Sequence, residues 1–428
     1  MASSTPAWPA GLPHHLPCPD VGMDVVLASA AEMYGDRAAL VDGTRTIGFA
    51  EFHDQAMRIA GGLRERGIGP GDVVLLHVPG SLWFPVVYYG IMCSGAAAAS
   101  VNTAQPAEVL RKQLADCGAV AAFTHPSCAG GLLAAGGAEL ALTVWVPPTE
   151  AAPEGADDVP TPPANAVPLA DLLRSGPLTG YRVPPDALAH LQYTGGTTGE
   201  PKGVRVLHRN LAVHTMHGVT WRSGHIARAT EKGLLRLDPV PGAYETLPLS
   251  PGADALIDVF PMIHATGLVG YSLNVLLGTT FVNSGRFDPA RYLAEIESYR
   301  ATTVRGVPTF HHALLRAAED RSYDLSSVRL VSIGAAPSDS TLHDRIRALY
   351  PNADLTDAYG LSEATLTVSV PPLNKGARQP AGSVGVPVFD TEVEIREPDG
   401  EKVLPVGATG EIWVRGPQIA DGYHGLPS

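Results

Sequence analysis

Residues 192–204 read QYTGGTTGEPKGV, a mid-chain run of glycines, threonines and one lysine. Such a composition suits phosphate, because bare amides and small hydroxyls can crowd around an anion and a lysine can neutralise it. The spacing is not that of a P-loop, which requires Gly-x-x-x-x-Gly-Lys-Ser/Thr. Here Gly195 and Gly199 stand four apart, and Glu200 follows where the lysine would be. The dinucleotide spacing Gly-x-Gly-x-x-Gly is missing from the stretch too. A kinase or P-loop ATPase is therefore disfavoured, and ADP as product would revive it.

More short stretches follow in a fixed order. FPMIHATGL holds His264 and Gly267, and SIGAAP holds Gly334, Ala335, Ala336 and Pro337. DAYGLSEAT runs through Asp357, Ala358, Tyr359, Gly360, Leu361, Ser362 and Glu363. GSVGVP begins at Gly382 and GEIWVRGPQIADGY at Gly410. With these on the page the chain resembles the adenylate-forming enzymes: acyl-CoA synthetases, firefly-type luciferases and the adenylation domains of peptide synthetases. The variant YTGGTTG looks most like long-chain acyl-CoA synthetases. The resemblance covers roughly residues 30–423, with YGDRAAL, GIGPGD and the VN at 101–102 in family-like order.

The resemblance implies a two-step chemistry. A free carboxylate is a poor electrophile, so it first attacks the α-phosphate of ATP to give acyl-AMP and pyrophosphate. A thiol then displaces AMP. The protein mainly positions the in-line geometry and stabilises spreading negative charge. By resemblance, Thr194, Gly195, Gly196, Thr197, Thr198 and Gly199 would wrap the β- and γ-phosphates, with Lys202 adding charge. Glu363 would be the Mg²⁺ ligand, in keeping with magnesium's use of one or two carboxylates plus phosphate oxygens. Ser362, where threonine is more usual, would keep a hydroxyl for the α-phosphate. Tyr359 would lie against adenine, with Gly334, Ala335 and Ala336 as a flat backbone wall on the other side and Pro337, Asp357, Gly360 and Leu361 completing the nucleotide site. His264 would orient groups between the acyl carboxylate and the thiol tunnel. The acyl pocket would be lined near His264, Gly267, Gly306, Val307, Gly334 and Ala358. No charge there selects an α-amino group, so a fatty, aryl or bulky alicyclic acid is expected rather than an amino acid. The acceptor is CoA or a carrier-protein pantetheine. Two alternatives stay open: a ligase that only transfers a preformed acyl-adenylate to the thiol, and a non-catalytic ATP- or acyl-AMP-binding protein.

These residues need a scaffold. In residues 54–67, Ala56, Ile59, Ala60 and Leu63 share one helical face, and Gly67 is a plausible C-cap. Residues 71–78, 119–125 and 140–147 read as strands between helical patterns, which implies a mostly parallel sheet wrapped by helices. Residues 77–107 carry no Lys, Arg, Asp or Glu. Pro79, Gly80, Pro85, Gly90 and Gly95 interrupt them, however, so a buried helix from about Trp83 to Ser94 leading into a buried strand fits better than a membrane span. Residues 147–168 are Pro/Ala-rich and acidic, hence a surface loop or boundary, and residues 227–257 look like an insertion. From about Gly382 the pattern becomes short alternating strands. The fold class is α/β. The resemblance implies two sheet-and-helix subdomains, divided as residues 1–185 and 186–375, plus a small distorted β-barrel at 376–428.

The bulk numbers narrow the function. A net charge of −13 opposes a nucleic-acid partner. Cys18, Cys93, Cys117 and Cys128 lack metal-ligand spacing and read as idle thiols of a cytoplasmic protein, and the N-terminus is no signal peptide. A homodimer is compatible with the sequence. Family members continue past the final GYHGLPS into a ribose-binding Asp, a hinge and a mobile domain of about 100 residues, so the resemblance implies. The chain is therefore expected to be an N-terminal portion that turns over poorly alone.

Overall fold

The computed structural model describes residues 8–149, 160–194, 202–259, 262–373, 380, 382–398 and 400–426. Two seven-stranded sheets organise them. In the first, the strands run in the order Ala166–Pro168, Leu142–Trp145, Ala121–Thr124, Val73–His77, Ala97–Ser100, Leu188–Tyr193 and Gly203–Leu207. All neighbours are parallel except the last pair, an antiparallel hairpin. The second sheet repeats the plan as Asp354–Asp357, Leu330–Ile333, Thr303–Gly306, Ala255–Asp258, Thr280–Asn283, Ala38–Asp42 and Arg45–Gly48. Again only the last pair is antiparallel.

Each sheet draws strands from both sides of residue 185. Ala38–Asp42 joins the second sheet, with Leu40 beside Phe281, while Leu188–Tyr193 joins the first, with Leu191 beside Ala99. Parallel strands are buried on both faces and so read as continuous apolar runs, which is why Val73–His77 and Ala121–Thr124 are buried throughout.

The expected helical face at Ala56, Ile59, Ala60 and Leu63 is fully buried, on a helix spanning Phe49–Glu65. The helix Trp83–Ser94 is buried at every position, which accounts for its lack of a polar face. These two pack together, and the helix His208–Ser223 packs on Ala265–Leu277. One continuous apolar core runs through these helices and reaches Leu40 and Phe281 of one sheet and Val74 and Leu76 of the other. Helices Pro289–Tyr299, Pro308–Asp320 and Ser340–Leu349 cover a second core on the second sheet. Asp288 and Asp339 cap two of them, accepting from Arg291 N and Leu342 N at 2.8 and 2.7 Å. Among the described residues no helix is long and apolar enough to cross a membrane.

The stretch 227–257 is structured. It carries most of a hairpin, His225–Ala229 with Leu235–Pro239, and ends inside the sheet strand Ala255–Asp258. Beyond residue 358 the small β portion comprises a three-stranded sheet of Tyr359–Leu361, Leu366–Val370 and Val386–Pro387, and the pair Glu392–Arg396 with Glu411–Arg415. These sheets do not close into a barrel among the described residues.

Candidate functional site

In open α/β sheets ligands bind beyond the carboxyl ends of the parallel strands. Gly306, Ile333 and Asp357 lie side by side at that edge of the second sheet. Gly334 N donates to Gly306 O and Ala358 N to Ile333 O, both at 3.3 Å, so the expected wall and pocket residues leave the sheet together. Gly306 has no room for a side chain: a Cβ there would lie 2.2 Å from the Phe310 ring. Ala335 holds a left-handed φ of 62°, unusual for a residue with a Cβ. Ala335, Ala336 and Pro337 are exposed, and Gly334, Ala358 and Tyr359 half-buried. The Asp357 carboxylate accepts from Ser338 Oγ, which also lies 2.6 Å from His343 Nε2.

Tyr359–Leu361 turns back through the tight 3-10 turn Ser362–Ala364 onto Leu366–Val370. Gly360 makes the close approach possible, since a Cβ there would sit 1.6 Å from Leu366 O. Glu363 is central in the turn. Its carbonyl accepts from Ala420 N at 2.8 Å, and the neighbouring Thr365, with φ 60°, donates its hydroxyl to Gln418 O at 2.6 Å. The segment 417–424 thus holds the turn that carries Glu363.

The same segment reaches the glycine-rich hairpin. Tyr193 faces Gly203, and Thr194 N donates to Lys202 O at 3.1 Å, closing the hairpin root. Gly195, Gly196, Thr197, Thr198 and Gly199 lie outside the described residues. Against Gly203–Leu207, Arg205 N donates to Gly422 O (2.9 Å), Asp421 N to Arg205 O (2.8 Å) and His424 N to Gly203 O (2.7 Å). Tyr423 is thereby set between hairpin and turn. Its hydroxyl donates to Glu363 Oε1 at 2.6 Å, and Lys202 Nζ stands 5.3 Å from its ring centroid. The bond to the carboxylate, then burial and the nearby charge, pushes the Tyr423 phenol up to about 12.

His264 is the exposed N-cap of Ala265–Leu277, and its carbonyl accepts from Gly267 N and Leu268 N at 2.9 Å. The chain around it is tied to both sheets. Ser100 Oγ donates to Met262 O at 3.3 Å, Gln192 Nε2 to Ile263 O, and Arg305 to Thr266 O at 3.2 Å. Arg305 also pairs with Asp258 at 3.1 Å.

The structure therefore gathers Gly306, Gly334 and Ala358 at one edge and joins Lys202 to Glu363 through a tyrosine. Sequence reasoning missed Tyr423, Thr365 and Gln418. Tyr423 and Gln418 lie within the recognised GEIWVRGPQIADGY stretch, which was the available signal. Among the described residues, no group of three or more His, Cys, Asp or Glu could hold a metal unaided.

The architecture is two parallel-dominated sheets sharing a helical core, with Gly306 and Gly334 at the carboxyl edge of the second. Residues 27–424 match the AMP-binding enzyme family, and the chain belongs to it. It is 30% identical over 408 residues to the 4-coumarate--CoA ligase-like 8 of Arabidopsis thaliana, covering 94% of this chain and 68% of that protein. It is 28% identical to a long-chain-fatty-acid--CoA ligase of Yersinia pestis, covering 93% of this chain and 70% of the relative. In fold it is similar to a long-chain-fatty-acid-CoA ligase of Archaeoglobus fulgidus, with TM-score 0.79, 23% identity and coverage of 98% and 79%. It is also similar to the N-terminal domain of FACL13 from Mycobacterium tuberculosis, with TM-score 0.75, 23% identity and coverage of 95% and 92%.

Proposed function

We propose that this chain is an AMP-forming acid–thiol ligase that activates an apolar carboxylic acid as its acyl-adenylate and passes the acyl group to a thiol. The observation that carries the reading is the bridge from Lys202 through Tyr423 to Glu363, which sets a cation and a carboxylate on either side of one phenol beside the glycine-rich hairpin. The names of the relatives, 4-coumarate and long-chain-fatty-acid CoA ligases, support an aryl or fatty acid and CoA as the thiol.

In the first step a carboxylate oxygen attacks the α-phosphorus of ATP, the bond to the bridging oxygen breaks, and pyrophosphate leaves. Lys202 neutralises the triphosphate as charge moves onto the leaving group. Glu363 fits a divalent cation, being a hard oxygen ligand held by its own backbone carbonyl and by Tyr423. Magnesium, when bound, would screen the phosphate oxygens. Tyr359 and the backbone of Gly334–Ala336 would hold adenine flat, and Ser362 would offer its hydroxyl to the α-phosphate. His264, exposed at the start of its helix, would orient the acyl group. In the second step a thiol sulfur attacks the acyl carbon and AMP departs with the electron pair of the broken C–O bond. CoA or a carrier pantetheine could supply that sulfur.

The test is acid-dependent exchange of radiolabelled pyrophosphate into ATP across cinnamic-type, fatty and amino acids, with nucleotide products resolved. Exchange driven by aryl or fatty acids, with AMP released once CoA is added, is expected. ADP as product, or exchange driven only by amino acids, would overturn the reading.

A further inference from the structure

Tyr423 touches no reacting atom in the chemistry above, yet it contacts both groups on which that chemistry depends. Its backbone is held by main-chain bonds: Gly422 O and His424 N are bonded to Arg205 and Gly203, and Asp421 N to Arg205 O. The Arg205 guanidinium reaches the Asp421 carboxylate at 3.2 Å and braces the same turn. These bonds place the Tyr423 backbone without the Lys202 and Glu363 side chains, and the ring packs against the apolar core. A carboxylate can present one oxygen or both to a cation, and near-octahedral magnesium takes few protein oxygens, each well aimed. At Glu363 the Tyr423 hydroxyl already occupies Oε1 at 2.6 Å, while Oε2 carries no hydrogen bond among the described residues. On the ring's face, Lys202 Nζ at 5.3 Å is attracted to the π electrons.

We propose that Tyr423 is a positioning residue that holds Oε1 of Glu363, so that the glutamate offers a divalent cation Oε2 alone, and that its ring steadies Lys202 at the exit of the glycine-rich hairpin. The inference rests on the reading of Glu363 as the metal ligand. Two functions follow from one side chain, and they separate by substitution. Tyr423→Phe keeps the ring and removes only the hydroxyl, whereas Tyr423→Leu removes both.

Mn²⁺ binding in the presence of ATP and absence of acid, read from the free-ion electron paramagnetic resonance signal, measures the first function without turnover. ATP binding without metal measures the second. Tyr423→Phe should raise the Mn²⁺ dissociation constant about fivefold or more, with metal-free ATP binding and the urea midpoint unchanged. Tyr423→Leu should add a loss of metal-free ATP binding of about threefold. Glu363→Gln distinguishes the two levels of the argument. If it weakens Mn²⁺ while Tyr423→Phe titrates as wild type, the positioning role is wrong and the metal ligand stands. If Glu363→Gln also titrates as wild type, the ligand reading falls and the positioning role with it. A Tyr423→Phe variant whose metal loss tracks an equal loss of stability would make the tyrosine merely structural.

Discussion

Asn210 lies in the first turn of the helix His208–Ser223 and is 5% exposed. Its Oδ1 accepts from Leu207 N at 3.0 Å, and its Nδ2 donates to Pro417 O at 3.1 Å and Ile419 O at 2.8 Å. Asn210→Ala removes three hydrogen bonds and leaves one amide and two carbonyls to find other partners. At about 1 kcal/mol of net stability for each bond, the expected loss is about 3 kcal/mol. It would be read as a lower urea midpoint at constant slope. Asn210→Asp keeps the acceptor but turns a second oxygen toward two carbonyls, so at neutral pH it should cost at least as much as alanine. The same side chain registers the segment that carries Tyr423, so both variants should also make residues 417–424 more open to protease. A loss below about 1 kcal/mol for alanine, or an aspartate variant more stable than the alanine one, would refute the claim that this amide pins the segment.

Gly360→Ala drives a Cβ to within 1.6 Å of Leu366 O and should cost about 3 kcal/mol by thermal or urea melting; a melt like that of the parent would show that the hairpin yields. Lys202→Met, at an exposed position, should slow pyrophosphate exchange about 10- to 100-fold, with stability held within about 0.5 kcal/mol. Burial lowers His190, His208 and His214 to about 3 and His77, His217 and His311 to about 4. Between those values and the unfolded value of about 6.5 the unfolded chain binds more protons, so their contribution is complete above that value and is lost as pH falls. Unfolding free energies from urea melts should stay level from pH 7.5 to about 6.5 and fall below that, by at most about 1.4 kcal/mol per pH unit for each histidine. A flat profile would contradict their burial, and His217→Gln should make the slope shallower.

Much of this was legible where local pattern decides structure. The helix Trp83–Ser94 lies at the residues expected because its apolar run was too broken to span a bilayer and too long for a strand. The antiparallel partnership of Glu392–Arg396 with Glu411–Arg415 follows from alternation around a turn. The exchange of strands across residue 185 was invisible, because a strand's apolar pattern does not reveal which sheet will accept it. The stretch 227–257 misled for a related reason. Its Pro/Gly-rich middle masked a four-residue strand that sits between two parallel neighbours. At the site, the motifs named the groups, but the link from Tyr423 to Glu363 joins residues sixty positions apart and no periodicity encodes it.

The hairpin Ala38–Gly48 docks on Thr280–Asn283, a partner that the ribosome reaches more than two hundred residues later. Until then its inner edge has no strand to lie against, and at ordinary elongation rates that wait lasts roughly tens of seconds. The first sheet, whose strands are all synthesised by Leu207, can assemble in the meantime. Fragments severed near residue 185 should each lack sheet partners held by the other, and should regain their structure only when mixed.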